Sequence, residues 1–152
     1  EEKWLNMMRD KLGLFGTDEK DKFLILDLLT WMHQKKVDYT NTFCHLMNEK
    51  IKEDKNYEDE DFQNWKKRWN ERLKTNNNTP EKYLKLMKSV NPLIIPRNHK
   101  VEEALETAEK GDFKSVNQLI EILKEPYSQQ KNILNYQIPS DFNENYQTFC
   151  GT

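Results

Sequence analysis

Glycine and cysteine are scarce in this sequence of 152 residues, and each scarcity excludes a class of site. None of the four glycines stands in a GxGxxG or GxxxxGK pattern, so the chain has no glycine-rich loop to cradle nucleotide phosphates. The two cysteines, Cys44 and Cys150, lie far apart with no CxxC. That pattern is typical of a reducing cytoplasm and not of a disulfide-stabilised secreted domain. We therefore expect a cytoplasmic protein.

Long apolar runs and an excess of one charge are also lacking. No stretch approaches the ~18 apolar residues of a membrane span, and the amino end lacks the basic start and apolar run of a signal peptide. The formal net charge is -2, so no overall field attracts nucleic acid or an anionic membrane. We expect neither nucleic acid nor a membrane as a partner.

Residues for catalysis or metal binding are not grouped along the chain. His33, His45 and His99 never fall at the i, i+4 spacing of a helical metal pair. Paired catalytic carboxylates and a Ser-His-Asp arrangement are missing too. The prediction is that this chain contains no catalytic, cofactor-binding or metal-binding residue of its own.

What the sequence does have is helical periodicity. Charged residues make up 33% and apolar residues 36%, which predicts a modest core. No alternating strand pattern is long enough for a sheet, and the charged segment 48–61 predicts a solvated helix end and a mobile loop. The prediction is an all-α fold, an irregular bundle of about seven helices. Their apolar stripes occupy residues 4–12, 24–32, 43–47, 62–73, 83–90, 101–108 and 113–123.

The last two stripes predict an αα-hairpin followed by a tail. Ala104 and Ala108 are small enough for close helix packing, Asn98 is expected to cap the first helix, and Gly111-Asp112 to end it and cap the second. The predicted inward faces are Val101, Ala104, Leu105 and Ala108, then Phe113, Val116, Ile120 and Leu123. We expect residues 1–127 to form the helical region. Residues 128–152 show no period but contain Tyr136, Phe142, Tyr146 and Phe149, which predicts an extended tail draped on or beyond the bundle.

A basic-aromatic cluster runs from Trp65 to Lys74 and is of the kind that binds phosphates or stacks bases. The structural interpretation is favoured, because Trp65 and Trp69 share a helical stripe with Phe62 and Leu73. The cations of the cluster, Arg72 included, are then expected on the solvated face.

Two groups of polar residues are interpreted as architectural. Asp38, Thr40 and Asn41 can bond the exposed amides of a helix start, and Arg97 is a candidate for a bidentate bridge to a carboxylate. The complete set of structural-motif residues is Asp38, Tyr39, Thr40, Asn41, Asn91, Pro92, Arg97 and Asn98.

Seven short motifs follow one another along the chain. They are Met8-Arg9-x-Lys11-Leu12-Gly13-Leu14, Asp38-Tyr39-Thr40-x-Thr42-Phe43, Trp65 to Leu73, Asn91-Pro92, Arg97-Asn98, Ala108-Glu109-Lys110-Gly111-Asp112 and Thr148-Phe149-Cys150-Gly151-Thr152. In this order they closely resemble the carboxyl end of the selenoprotein O (YdiU-type) family. The chain departs from the family pattern at Cys44, where members usually have Arg, and at Ile138-Pro139-Ser140, where paired prolines are common.

The resemblance implies a C-terminal helical region of a kinase-fold protein adenylyltransferase, an enzyme that transfers AMP from ATP to protein hydroxyl groups. The family's nucleotide and metal residues lie upstream, so ATP and Mg are expected in the full-length protein and this chain alone is expected to be inactive. The implied partners are the N-terminal kinase-like half and the protein substrates. Cys150 stands where the resemblance places a terminal cysteine or selenocysteine, and it is the redox candidate. The alternative function is a free-standing helical protein-interaction module.

Overall fold

The computed structural model describes residues 1–75 and 78–140 and is helical throughout this part of the chain, with no β strand. The all-α prediction is confirmed, and each of the seven stripes falls on a helix. No helix of the described residues is long and apolar enough to cross a bilayer. The elements are α1 (Glu2–Lys11), α2 (Asp21–Lys35), α3 (Tyr39–Leu46), a 3-10 helix (Lys55–Glu58), α4 (Glu60–Leu73), α5 (Pro80–Val90), α6 (Asn98–Glu109), α7 (Lys114–Leu123) and α8 (Ile133–Gln137).

The chain folds as two compact units, Glu1–Pro92 and Leu93–Thr152. The first contains α1 to α5 and the 3-10 helix, and the second contains α6 to α8. The predicted change of character after residue 127 stays a prediction. The tail residues Phe142, Tyr146, Phe149 and Cys150 lie outside the described residues.

Aromatic rings form the core of the first unit. Phe62 lies 4.5 Å from Trp31 and 5.8 Å from Trp65 between ring centroids, and Trp65 stacks on Trp69 at 5.9 Å. Both indole N–H groups of α4 are satisfied, because Trp65 donates to the carbonyl of Leu24 and Trp69 to that of Leu12. The core interpretation of the α4 stripe is therefore confirmed.

Side-chain caps start four of the helical elements in the described residues, namely α3, the 3-10 helix, α4 and α5. The Thr79 hydroxyl accepts a hydrogen bond from the backbone of Lys82 ahead of α5, with Pro80 at its first position. The predicted cap of α6 is wrong by one residue. Arg97 keeps an extended backbone and occupies the N-cap position, so the helix already begins at Asn98.

The second unit is built on the hairpin of α6 and α7, which turns at Gly111 with φ +86°. The prediction of the inward faces is wrong at three positions: Leu105, Phe113 and Ile120 are 55%, 59% and 51% exposed. Successive helical residues point about 100° apart, so Ile120 and Ile122 face nearly opposite directions. The α7 side chain that is buried is Ile122.

Two segments predicted without a separate helix contain one. In the charged segment 48–61, the 3-10 helix buries Tyr57, which is 6% exposed. In the predicted tail, α8 buries Ile133 and Gln137. The Gln137 side-chain amide donates to the carbonyl of Leu93 at 2.8 Å, so this segment is bonded to the start of its own unit.

Candidate functional site

A fully buried carboxylate, that of Asp21, lies at the start of α2 in the first unit. Arg9 of α1 donates to it at 2.7 Å, and Arg72 of α4 donates to both of its oxygens at 2.7 and 3.2 Å. The backbone N–H of Asp18 adds a bond at 3.0 Å. The Asp21 side chain is fully buried, and those of Arg9 and Arg72 are 11% and 9% exposed. This Arg-Asp-Arg cluster therefore joins three helices.

The surroundings of Asp21 determine its charge. Burial by itself raises the pKa of this carboxyl, but the hydrogen bonds from Arg72, Arg9 and the Asp18 backbone outweigh burial and hold the pKa below its ordinary value. Asp21 is consequently a fixed anion at neutral pH, already saturated with donors. A carboxylate in this state serves as a structural counter-ion and not as a general base.

The predicted Asp38 cap is confirmed, and it connects to the buried Tyr57. The Asp38 carboxylate accepts a hydrogen bond from the backbone N–H of Asn41 at 2.8 Å, and the Thr42 hydroxyl donates to the Asp38 carbonyl. The hydroxyls of Thr42 and Tyr57 lie 3.2 Å apart. The polar motif therefore starts α3 and positions the ring of the 3-10 helix.

The imidazole of His45 packs against an aromatic ring, and its surroundings keep it in the neutral form. Its ring stacks on Tyr57 with centroids 4.0 Å apart and an interplanar angle of 11°. Burial, helped by the positive charge of Lys66, lowers the pKa of His45 to about 4 against an opposing effect of Asp54. Burial likewise raises the pKa of Tyr57 to about 12. At neutral pH neither side chain exchanges protons readily, so the pair is a packing element.

The Asn91-Pro92 motif and the α3 motif meet at the carboxyl end of α1. The Asn91 side-chain amide donates to the carbonyls of Lys11 and Met87, each at 2.9 Å. The ammonium of Lys11 lies 4.7 Å from the ring centroid of Phe43. The buried thiol of Cys44 points to the Pro92 carbonyl at 3.8 Å. Three of the sequence motifs thus come together in one architectural junction.

In the second unit, the Arg97 guanidinium donates to the carbonyl of Gln137 at 3.0 Å. Gln137 in turn donates to Leu93, so Arg97 helps hold α8 against the segment that precedes α6. The carboxylate bridge expected for Arg97 stays a prediction. Asn98 lies beside it as the first residue of α6.

A cleft of about 1110 Å³ lies along α7 in the second unit and is lined mainly by polar side chains. Two of its lysines are neutralised within one helix turn, Lys100 by Glu103 at 2.7 Å and Lys124 by Glu121 at 2.6 Å. Such exposed pairs contribute little stability and create no field of one sign.

Magnesium and ATP, which the resemblance implies for the full-length protein, do not fit the residues described here. No three His, Cys, Asp or Glu side chains in residues 1–75 and 78–140 are grouped to hold a metal ion. The turn glycines Gly13 and Gly111 stand singly at helix ends, and not in a phosphate-binding loop. No step of nucleotide transfer is assigned to these side chains.

Sequence reasoning missed the centre of the first unit. It placed Arg72 on the solvated face of α4, which is wrong, because Arg72 is turned into the cluster around Asp21. It also missed Tyr57, the one aromatic residue of the charge-rich segment 48–61. An isolated aromatic residue in such a segment was the available signal.

Comparison with known proteins identifies one family that matches most of the chain. The family described as Protein adenylyltransferase SelO matches residues 1–124. The chain is 54% identical over its whole length to the protein nucleotidyltransferase YdiU of Pelagibacter ubique and covers 32% of that protein. It is 43% identical to YdiU of Nitrosococcus oceani over its whole length and 45% identical to YdiU of Clostridium perfringens over 98% of its length, and it covers 31% of each.

The chain therefore spans about a third of the length of the curated relatives it matches. The match includes the Asp21 cluster, the Asp38 and Asn91 motifs and the hairpin of the second unit, which all lie before residue 124. On this evidence the chain belongs to the SelO (YdiU) family of protein nucleotidyltransferases.

Proposed function

We propose that this chain is the C-terminal helical part of a protein adenylyltransferase that transfers AMP from ATP to protein hydroxyl groups. The observation that carries the proposal is the family match over residues 1–124, together with 54% identity to a protein nucleotidyltransferase. The transfer chemistry, with ATP and Mg²⁺, belongs to the kinase-like part of the full-length protein. The partners of this chain are that kinase-like part and, through it, the protein substrates.

The role proposed for the helical part is support of the kinase-like core. Two features favour it. In the first unit the charged and polar motifs form internal hydrogen bonds. Asp21, Asp38 and Asn91 each bond to a neighbouring helix or to a helix end. The second unit exposes large apolar side chains that a covering surface would bury. A scaffold needs rigid internal bonding and an apolar contact face, and the chain offers both.

The test compares the full-length protein with this chain, each incubated with Mg²⁺ and ATP labelled at the α phosphate. We expect the full-length protein to label protein substrates and this chain to label none. Parallel reactions with ATP labelled at the γ phosphate are the control, because phosphorylation transfers the γ label whereas AMP transfer retains the α label. Transfer of the γ label by the full-length protein, or micromolar binding of Mg-ATP to this chain by titration calorimetry, would contradict the proposal.

We also propose a cytoplasmic location and a regulatory thiol at Cys150. The scarcity of cysteine supports the first. The position of Cys150 in the Thr-Phe-Cys-Gly-Thr ending supports the second. If the thiol regulates by disulfide exchange, AMP transfer by the full-length protein changes between reducing and oxidising buffer, and the Cys150→Ser variant removes that difference. A difference that persists in the variant assigns the redox response to another cysteine.

A further inference from the structure

The hairpin of the second unit has an apolar face whose largest side chains the described residues leave exposed. We define the hairpin face as Val101, Leu105 and Ala108 of α6 with Phe113, Val116 and Ile120 of the turn and α7. The spacing is i, i+4, i+7 on α6, and on α7 it is i, i+3, i+7, so each set lies along one side of its helix. Leu105, Phe113 and Ile120 are each more than half exposed.

This exposure differs from the scattered apolar residues that every protein surface carries. The three side chains belong to apolar sets that recur at helical spacing on two consecutive helices, and these helices pack against each other. The opposite side of α7 shows the contrast, because Ile122 there is 7% exposed. Several large apolar side chains exposed on one hairpin, beside a packed side, are typical of an interaction surface.

Unpaired carboxylates border the hairpin face on the α6 side. Glu102, Glu106 and Glu109 follow Val101, Leu105 and Ala108 by one residue each, which turns them about 100° away from the stripe. None of the three forms an ion pair with a described residue, whereas Glu103 on the other side of α6 pairs with Lys100. A partner surface complementary to the hairpin face is apolar and has basic groups along the edge that meets α6.

We propose that the hairpin face docks on the part of the full-length polypeptide that lies outside this chain. The proposal rests on the proposed function. About two thirds of the length of the relatives is outside the chain, which covers 31–32% of them. The family match is continuous through residue 124 and so includes both helices of the hairpin. If the rest of the polypeptide covers the hairpin face, the exposure of its large apolar side chains in this chain is explained.

The test measures thiol labelling of Leu105→Cys and, separately, Ile120→Cys, in this chain and in the full-length protein. All versions also carry Cys150→Ser, and the labelled peptide is identified by mass spectrometry so that other cysteines do not interfere. Glu103→Cys is the matched control, since it lies on the opposite side of α6. We expect both face positions to react at least about tenfold more slowly in the full-length protein, with the control unchanged.

Two positions on separate helices keep the result interpretable if one variant fails to fold. Equal, rapid labelling of both positions in the two proteins overturns the proposal. Protection of these positions already in this chain also overturns the proposal. If that protection disappears on dilution, a second copy of the chain covers the face. If it disappears on removal of residues 141–152, the tail covers it. Protection in a full-length protein that does not transfer AMP would leave the docking in place and reject only the proposed function, because labelling does not depend on activity.

Discussion

The unit Glu1–Pro92 and the unit Leu93–Thr152 place their large apolar side chains differently. The first buries Trp31, Phe43, Phe62, Trp65 and Trp69, each 5% exposed or less. The described part of the second has no tryptophan, and its Leu105, Phe113 and Ile120 are more than half exposed. The family match covers the first unit and, in the second, the hairpin of α6 and α7, so the contrast lies within the matched residues. The first unit has the aromatic core, although Phe23 at its surface is 65% exposed, and the second exposes three large side chains of a single hairpin.

The two units also differ in how deeply their ion pairs are buried. The first unit buries a carboxylate between two guanidinium groups. The ion pairs described in the second unit, Lys100–Glu103 and Lys124–Glu121, are both i, i+3 pairs on one helix surface. Removing one partner of a buried pair leaves an uncompensated charge, whereas an exposed pair is replaced by water. The comparison therefore predicts unequal responses to similar substitutions.

The largest effect is expected for Asp21→Asn. This change leaves the buried Arg9 and Arg72 without their counter-ion and should lower the free energy of unfolding by about 3–5 kcal/mol. Urea unfolding followed by tryptophan fluorescence measures it, because all four tryptophans lie in the first unit. Asp27→Asn on the same helix is the matched control. Its partner Arg68 and the Asp27 side chain are 52% and 49% exposed, so a loss below about 0.5 kcal/mol is expected. Equal losses in the two variants would show that the cluster is not the element that holds the first unit.

A glycine from each unit provides the next contrast. Gly13 has φ +70°, and a Cβ there would lie 2.9 Å from the Cβ of Tyr83 and 3.1 Å from Met87. Gly13→Ala combines backbone strain with overpacking and should cost about 2–4 kcal/mol. Gly111 has φ +86° with nothing within 4 Å, so Gly111→Ala should cost only about 1 kcal/mol of strain.

Circular dichroism during urea unfolding detects both glycine variants, since it follows helices of either unit. The Gly111→Ala variant serves as the control for backbone strain alone. If its cost matched that of Gly13→Ala, the close approach of α5 to Gly13 would play no part in stability.

The pH dependence of the first unit should come from His45 between pH 7 and pH 5. The folded state lowers the pKa of His45 to about 4 from 6.5. The unfolded chain therefore binds the proton first as pH falls, and stability present near neutrality is lost, by about 2 kcal/mol at pH 5. Denaturant unfolding at each pH measures the loss. His45→Gln should flatten the profile in this window, while His33→Gln, which removes an exposed imidazole, should leave the loss in place.

Periodicity and capping predicted the helices well because both are local. The stripe of Phe62, Trp65, Trp69 and Leu73 needs only neighbouring positions to be recognised, and α4 follows it. The 3-10 helix and α8 escaped prediction for the same reason. Each is stabilised by distant partners, Tyr57 by the ring of His45 and Gln137 by the carbonyl of Leu93, and a short window contains no trace of them.

The candidate site shows the same limit more sharply. Asp38 could be predicted as a cap, since its partner Asn41 is three residues away. The cluster around Asp21 could not, because Arg9 and Arg72 are 12 and 51 residues distant in sequence. The hairpin stripe was recognised as apolar, but a stripe does not say whether the surface that covers it is in the same chain.

The smallest effect on the free energy of unfolding is expected for a substitution on the exposed hairpin face. Leu28 and Leu105 are helical leucines of the first and second unit, 0% and 55% exposed. Leu28→Ala should lower the free energy of unfolding by about 2–5 kcal/mol through the lost burial and the cavity left behind. Leu105→Ala in this chain should change it by less than about 0.5 kcal/mol, because the leucine is half in water already and alanine favours the helix. Urea unfolding followed by circular dichroism measures both variants. A cost above about 1 kcal/mol for Leu105→Ala would mean that the hairpin face is already covered within this chain, which contradicts the docking proposed for it.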